Sequence, residues 1–598
     1  MYNIIRFTAS KMPYAHSFLN YRRSPVLFLF FFLIPIITFS SCPFEADRNN
    51  LWDPGSPNYI GYDLVLTSAD ITVMQDTEEI LINDGVYDFG NLSVGESSPA
   101  VAFTIRNDGE GDLSIESITW TEENITEFIL NIDSISYTLT PGNETSFTIT
   151  YSPASAGDKS AILSIVNNDP DEGAYNFSVT GTGTASKSWG SPEMISSGSY
   201  EAHEPQVDMD NNGNAIAIWC EDQAPRRVFA KRYDGSSWSG SIRLDNQNYS
   251  AYKLQITINS DGNAIAAWYQ EDSSVNRERI FVNHYLHTGD SWLSIPNVIS
   301  DSSVESYDSQ VSMNNSGYAV AVWRASGNVY ANDYRAGSWQ QVEIGELICN
   351  GTSSVSMKVA IDADSNAIAV WNDDQGATSP LYSCRYIGST GDWNSAVGIG
   401  EGYKSYNAQI AMNDNGIAVA VWDYEDETNY NVGAKIYNSS WSNMYTIDSG
   451  YDHTANLYPK VAIDQSGNAI AVWKQYDGST FRIYTNRYTF SNSSWGSAQI
   501  IDTGQFSSPE QASDPHVAMD GEGNAIAVWC EEKLAATNSI YARRYNVSSD
   551  QWQDAQEIDN LDGGAMSPII AMDSNGNGTV LWRQFYNTRY NIFTVRYE

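Results

Sequence analysis

Basic residues are scarce in this 598-residue chain: 32 Lys and Arg stand against 73 Asp and Glu, a formal net charge of −41. With no basic stripe to offset it, that surplus repels a phosphate backbone and makes nucleic acid a poor candidate partner. Cations or basic ligands suit the same surface better. Cysteine is nearly absent, and Cys220, Cys349, Cys384 and Cys530 have no metal-ligand spacing. Cys220 and Cys530 each follow a tryptophan of a repeated phrase, which suggests matched but separate positions, while a bridge between Cys349 and Cys384 stays open beside buried free thiols. Histidine is as rare, with His203, His284, His287, His453 and His516 the imidazoles past the first 42 residues. No HExxH, GxSxG or phosphate loop occurs. These absences point away from an enzyme and from any cofactor, with calcium the one cation left open. What is abundant is globular: 42% hydrophobic and 13% aromatic residues, in a chain too long for one core.

The N-terminal residues address the compartment. Arg6, Lys11, Arg22 and Arg23 precede the apolar run from Pro25 to Phe39, and "SSC" follows, ending at Cys42. Fifteen residues interrupted by Pro35 are short for a membrane span of about 20, so the segment reads as an export signal over 1–41. "FSSC" resembles a bacterial lipobox, with Phe39 departing from the usual Leu. The resemblance implies acylation of Cys42 and membrane attachment, beside a plain cleaved signal or an uncleaved anchor. Each alternative puts the remainder outside the cytoplasm, in the cell envelope, with the outer membrane or surface expected for the lipoprotein. A polar tether over 42–61 follows, carrying Pro43, Pro54 and Pro57.

Residues 62–184 alternate apolar and polar side chains in short runs broken by turn residues, the pattern of an antiparallel β-sandwich. "DFG" at Asp88, "FTIRNDGEGDLSI" from Phe103, "PG" at Pro141, "YSPASAG" from Tyr151, "NND" at Asn167 and "GTG" at Gly181 together resemble the bacterial choice-of-anchor D modules, relatives of the ASH and hydin immunoglobulin-like domains. That resemblance implies an immunoglobulin-like, non-enzymatic spacer or interaction unit and names no ligand.

Residues 186–598 repeat. A phrase typified by "DQSGNAIAVW" ends at Trp219, Trp268, Trp323, Trp371, Trp422, Trp473, Trp529 and Trp582. A period of about 50 residues with four strand-like pieces predicts one propeller blade per repeat. The strand order is similar to the repeats of NHL and related propellers. The array opens with a lone fourth-strand piece, "SWGSPEMIS" from Ser188, and stops after a third strand, "IFTVRYE". The first piece is therefore expected to complete the last blade and close an eight-bladed ring, since a solenoid needs polar, atypical caps. The fold class is all-β, a sandwich followed by this propeller.

In the phrase itself, Ala469, Ala471 and Trp473 face one way and Ile470 and Val472 the other, so both faces are dry and neighbouring sheets must cover them. Nine residues before each Trp stands an acid or its amide, with Gly three residues later except at Ser365. This is Asx-Gly hairpin chemistry. Calcium is its rival reading, weakened by Asn at three positions. The sialidase Asp-box is another, which the spacing does not fit. Five third strands end in Arg-Tyr: Arg232, Arg385, Arg487, Arg544 and Arg596, each followed by Tyr, a recurrence expected of ion pairs or stem packing. "FRI" at Phe481 to Ile483 is similar to a sialidase arginine motif but lacks its proline.

If the repeated parts are scaffold, function belongs to the loops it holds. The candidate binding face starts just after the Trp: Glu221, Asp222, Glu271, Asp272, Asp373, Asp374, Asp423, Glu425, Asp426, Glu531 and Glu532, with Tyr252, Tyr307, Tyr403, Tyr406, Tyr451 and Tyr458 from other loops. Such a rim suits sugar hydroxyls, divalent cations or a basic protein surface; the plainer reading is solvated acidic loops. The expected function is binding of a protein or glycan. The alternatives are a sialidase-like glycoside hydrolase, since paired carboxylates can hydrolyse glycosides, and a structural envelope protein without a ligand. Acid pairs recur across repeats, so none is singled out as catalytic.

Overall fold

Period-two patterning is realised in full between Ala174 and Thr184, where Tyr175, Phe177 and Val179 point inward and the residues between them do not. The computed structural model describes residues 68–598 except 123–124, 341–345, 350–353, 374–379, 427–428, 449, 451–456, 505–511 and 534–536. The export signal, Cys42, the tether, Asp374 and Tyr451 lie outside the described residues, as does the side chain of Cys349 and with it the expected alternative of a bridge to Cys384. Among the described residues no helix is long and apolar enough to cross a membrane.

Two five-stranded sheets make the N-terminal sandwich. One orders Glu78–Glu79, Ile71–Gln75, Val101–Asn107, Glu144–Tyr151 and Phe128–Asn131; the other orders Val86–Ser93, Ala174–Thr184, Gly157–Asn167, Leu113–Trp120 and Thr138–Leu139. Their inward residues form one core around Phe103, Phe147, Ile149, Leu163 and Phe177. The family-like motifs serve as internal ties. Asn107 donates its amide to the carbonyls of Gly111 and Leu139, both at 2.8 Å. Asp169 accepts the Ile71 amide at 2.9 Å, joining the two sheets. These are buried polar groups that fold only with their partners.

Among the described residues the array holds eight antiparallel sheets, two of four strands and six of five, the fifth being a second short strand on the third; seven are built by one repeat each. The eighth takes Glu193–Met194 from the start of the array, paired with Phe593 and Thr594 of the final strand. Within a repeat the strands run in order from inner to outer. In the sixth they are Lys460–Ile463, Ala469–Tyr476, Phe481–Thr489 and Ser494–Trp495. Every second strand is dry on both faces: Ala469, Ile470, Ala471, Val472 and Trp473 are at most 1% exposed, and the other seven phrase tryptophans are equally buried. Alanine on one face lets neighbouring sheets approach, and the indole fills the wider gap beyond.

The same neighbour relations recur from repeat to repeat and return from the eighth to the first. Inner strands pack side by side throughout, and Ala565–Met572 packs on Ala202–Met209. Arg385, Arg487 and Arg544 each lie over the third-strand tyrosine of the following repeat (Tyr437, Tyr545, Tyr597) at 5.6–6.0 Å, and Arg596 lies over Tyr233 of the first at 3.9 Å. The expectation of ion pairs or stem packing is thus met by cation–π stacking, with ion pairs added at Arg232–Asp290 and Arg487–Asp550. Arg544 also pairs with Glu96 of the sandwich.

Candidate functional site

The repeated turn leaves no ligand atoms for calcium. In the sixth repeat Asp464 Oδ1 accepts the Asn468 amide at 2.8 Å and Oδ2 accepts the Asn468 side chain at 2.8 Å. All five turn aspartates are followed four residues on by such an Asn. Where the turn residue is Asn, its amide reaches forward instead: Asn413 donates to the carbonyls of Asp464 and Gln465, and Asn314 to those of Asp362 and Ala363. Donors surround these oxygens, which is the reverse of a cation's needs. Glycine is favoured here twice over, because φ is positive and a Cβ on Gly213 would lie 3.3 Å from Asp573 Oδ2 of the eighth repeat, although Ser365 fills the equivalent position at φ 65°.

The predicted acidic face divides. Glu221, Asp272, Asp373, Asp423 and Glu531 are at most 6% exposed, so they cannot line an open rim as expected. Glu221 and Glu531 accept the indole N–H of Trp219 and Trp529, at 3.1 and 2.7 Å; Gln270, Gln475 and Gln584 do the same elsewhere. Asp272 holds Arg279 at 3.2 Å and its own turn at Ser274. Asp423 accepts from Asn407 and from the Leu457 amide, and burial pushes its carboxyl up to about 6. Strand alternation turns Glu221, Asp373 and Glu531, two after their Trp, and Asp272, four after Trp268, inward with the indole, whereas Asp423 follows Trp422 directly. Asp222, Glu271, Glu425, Asp426 and Glu532 reach solvent at least in part. Of these, Asp222 is held by Arg226 and His203, both at 2.9 Å, and Glu425 by Lys404 at 3.3 Å.

The tyrosines fare differently. Arg226, Tyr252, Tyr269, Tyr307 and Arg324 form a continuous ladder: Arg226 lies 5.1 Å over Tyr252, each tyrosine pair is 5.5 Å apart, and Arg324 lies 5.6 Å over Tyr307. Beside it opens a cleft of about 500 Å³, lined by Arg277, Glu305, Tyr307, Arg324 and Ser326. Tyr403 packs on Tyr424 at 5.0 Å, and Tyr458 is exposed.

Sequence reasoning missed a second locus. Four residues before each turn acid or amide, the inner strands carry Gln206, Gln255, Gln310, Lys358, Gln409, Lys460, His516 and Ile569. All eight are partly exposed, each directly after a buried residue, and they form a collar on the inner strands, which pack on one another from repeat to repeat. Two residues before the collar the backbone is left-handed at Glu204, Lys253, Asp308, Asn407, Tyr458, Asp514 and Ser567, with φ of 47–55°. The register with the second strand shifts at the same point. A left-handed non-glycine residue costs on the order of 1–2 kcal/mol, and repeated bulges of this kind re-aim side chains. The signal was available: the position is polar in seven repeats, yet its residue types differ, so no copied phrase marks it. A cavity of about 440 Å³ adjoins it, bounded by inner strands of repeats one, two, six, seven and eight.

Comparison with known proteins reaches the sandwich best. Residues 79–181 match the family model of the HYDIN/CFA65/VesB-like Ig-like domain. No curated protein matches the chain. Among solved structures, a protein of unknown function from Dyadobacter fermentans is 13% identical, with 69% of this chain and 99% of that chain covered and a TM-score of 0.38. The NanB sialidase from Streptococcus pneumoniae is 10% identical, with 83% of this chain and 84% of that chain covered at 0.32. The β-propeller domain of the Trilobed protease from Pyrococcus furiosus is 9% identical, with 61% and 99% covered at 0.36. Nothing about activity follows from likenesses at this level.

Proposed function

We propose that the chain is an exported, lipid-anchored binding protein of the cell envelope, attached through Cys42. In this reading the immunoglobulin-like domain is the spacer, and the eight sheets are blades of a closed propeller whose face binds a protein or glycan. Closure is supported by the pairing of Glu193–Met194 with the last repeat and by Arg596 over Tyr233. The binding reading rests on one observation, the arginine–tyrosine ladder that runs from the first repeat to the third beside its cleft. Aromatic faces bracketed by guanidinium groups and Glu305 offer stacking to a sugar ring and hydrogen bonds to its hydroxyls, or an anchor pocket to a protein. The acids just after the Trp contribute mostly by holding the scaffold.

The rival glycoside hydrolase loses its motif argument, because Arg482 of "FRI" is committed to Asp502 at 2.6 Å and Asp477 at 3.5 Å. A glycan array run beside a pull-down from the native surface tests the proposal, with Tyr307→Ala as the comparison. Binding that falls at least tenfold in the variant supports it. Turnover of a sialoside by the full chain, or binding indifferent to Tyr307, rejects it. Mass spectrometry of membrane-extracted protein tests the anchor, which fails if Cys42 carries no acyl group.

A further inference from the structure

Cations gather in one place in this anion-rich protein. Lys460 and Lys253 line the cavity, His516 follows Lys460 around the collar, and Lys358 stands two repeats before Lys460, with Gln409 between, outside the cavity lining but within electrostatic reach of both lysines. Lys358 donates to Gln310 Oε1 at 2.7 Å, a neutral partner. Among the described residues neither Lys358 nor Lys460 has a carboxylate within ion-pair distance. The acids nearby are engaged: Glu204 takes the Lys253 backbone amide at 2.6 Å and Arg226 at 3.6 Å, and Asp308 holds Arg324 at 2.8 Å. Asp514 accepts the Ser567 amide at 3.3 Å and is the one carboxylate acting on Lys460. Asp208, deeper in the collar, accepts the Ile258 amide, and burial raises it to about 7, so it contributes little charge near neutrality.

We propose that the collar and its cavity form a binding site for a small anion, a carboxylate- or phosphate-like group held by Lys460 at the cavity wall, with Lys358 of the collar reaching it from beside the cavity. Cations enclosed without counter-charge are costly, and an entering anion supplies what the fold omits. Of the collar residues, Gln206, Gln255, Lys460, His516 and Ile569 line that space, and about 440 Å³ is the size of small-ligand sites. The acidic exterior does not cancel this field, since surface charge is screened within about 8 Å at physiological salt. Ile569 leaves one apolar wall, and the glutamines offer amide donors.

The site also predicts proton coupling. Burial first, then Lys460 and Lys253, lowers Lys358 to about 7. His516 falls to about 3, so it stays neutral and accepts the Ile570 amide at 3.5 Å. An anion favours the charged ammonium, so binding draws a proton onto Lys358 and weakens as pH rises through 7.

Calorimetry of the full chain with sulfate and with glucuronate, at pH 6 and pH 8, tests the proposal and separates oxyanion from carboxylate. The expected result is binding of at least one probe, tighter at pH 6 by up to about tenfold. Replacing both lysines, Lys358→Met with Lys460→Met, should weaken it about tenfold or more. The probe that binds should raise the melting temperature of the wild type and not of the variant, whose own melting temperature should equal or exceed the wild type's. Tyr307→Ala should leave anion binding intact. No heat and no thermal shift with either probe overturns the proposal, as does equal affinity in the double variant. Should that variant fail to fold, Lys358→Gln alone carries the same comparison.

Discussion

Four residues separate two positions at the inner edge of every repeat, and they behave in opposite ways. The turn position is Asp or Asn eight times over, and its side-chain atoms are consumed by its own hairpin or by the next one. The collar position runs through Gln, Lys, His and Ile, and its side chains meet open space. A residue whose every lone pair is committed to the fold is copied because each repeat needs the same bond. One that faces a cavity is free to differ, and there the ring departs from its own symmetry.

The largest effect should come from the scaffold. Trp473→Ala empties a fully buried indole site between two sheets and should cost about 3–5 kcal/mol, read as a large fall in the thermal midpoint. A variant that melts like the wild type would show that the interface between sheets is soft. Next is the turn. Asp464→Ala strands the Asn468 backbone and side-chain donors, a loss of about 1–3 kcal/mol. Asp464→Asn should be milder, because Asn413 and Asn314 show an amide bonding forward to the next turn.

At the collar the effect depends on pH. An unfolded chain keeps the lysine proton up to about 10.5, while Lys358 in the fold releases it near 7. Between those values the unfolded state binds more protons, so this group's penalty is full below pH 7 and fades as pH rises. Melting temperatures across pH 7–10 should therefore climb less steeply in Lys358→Met than in the wild type. An unchanged slope would return the collar to the scaffold. The smallest effect belongs to the turn that lacks glycine. Ser365 adopts φ of 65°, and its hydroxyl accepts the Asn314 amide at 3.1 Å. Ser365→Gly relieves about 1 kcal/mol of strain and removes a bond of similar worth, so denaturation midpoints should agree closely.

Legibility followed locality. Alternation in "NAIAVW" and the Asx-Gly spacing are written in neighbouring residues, and both appear in the fold as read. Asp423 and Glu531 sit just as visibly after their tryptophans, but whether such an acid faces water or an indole depends on strand pairing and on the sheet beyond. The Arg-Tyr endings were visible, while their stacking onto the following repeat was not, because the partner lies about 50 residues away. The collar was written in the sequence too, as a position whose meaning is common and whose residues are not.

By itself the sequence determined the all-β class, the repeat length and the hairpin that organises each repeat. Local spacing and alternation suffice for those, since each is decided within ten or so residues. Only the tertiary structure decided which polar side chains remain for a ligand. Burial, pairing and mutual repulsion are properties of neighbours in space, and Lys358 and Lys460 become a site only where the inner strands bring them together.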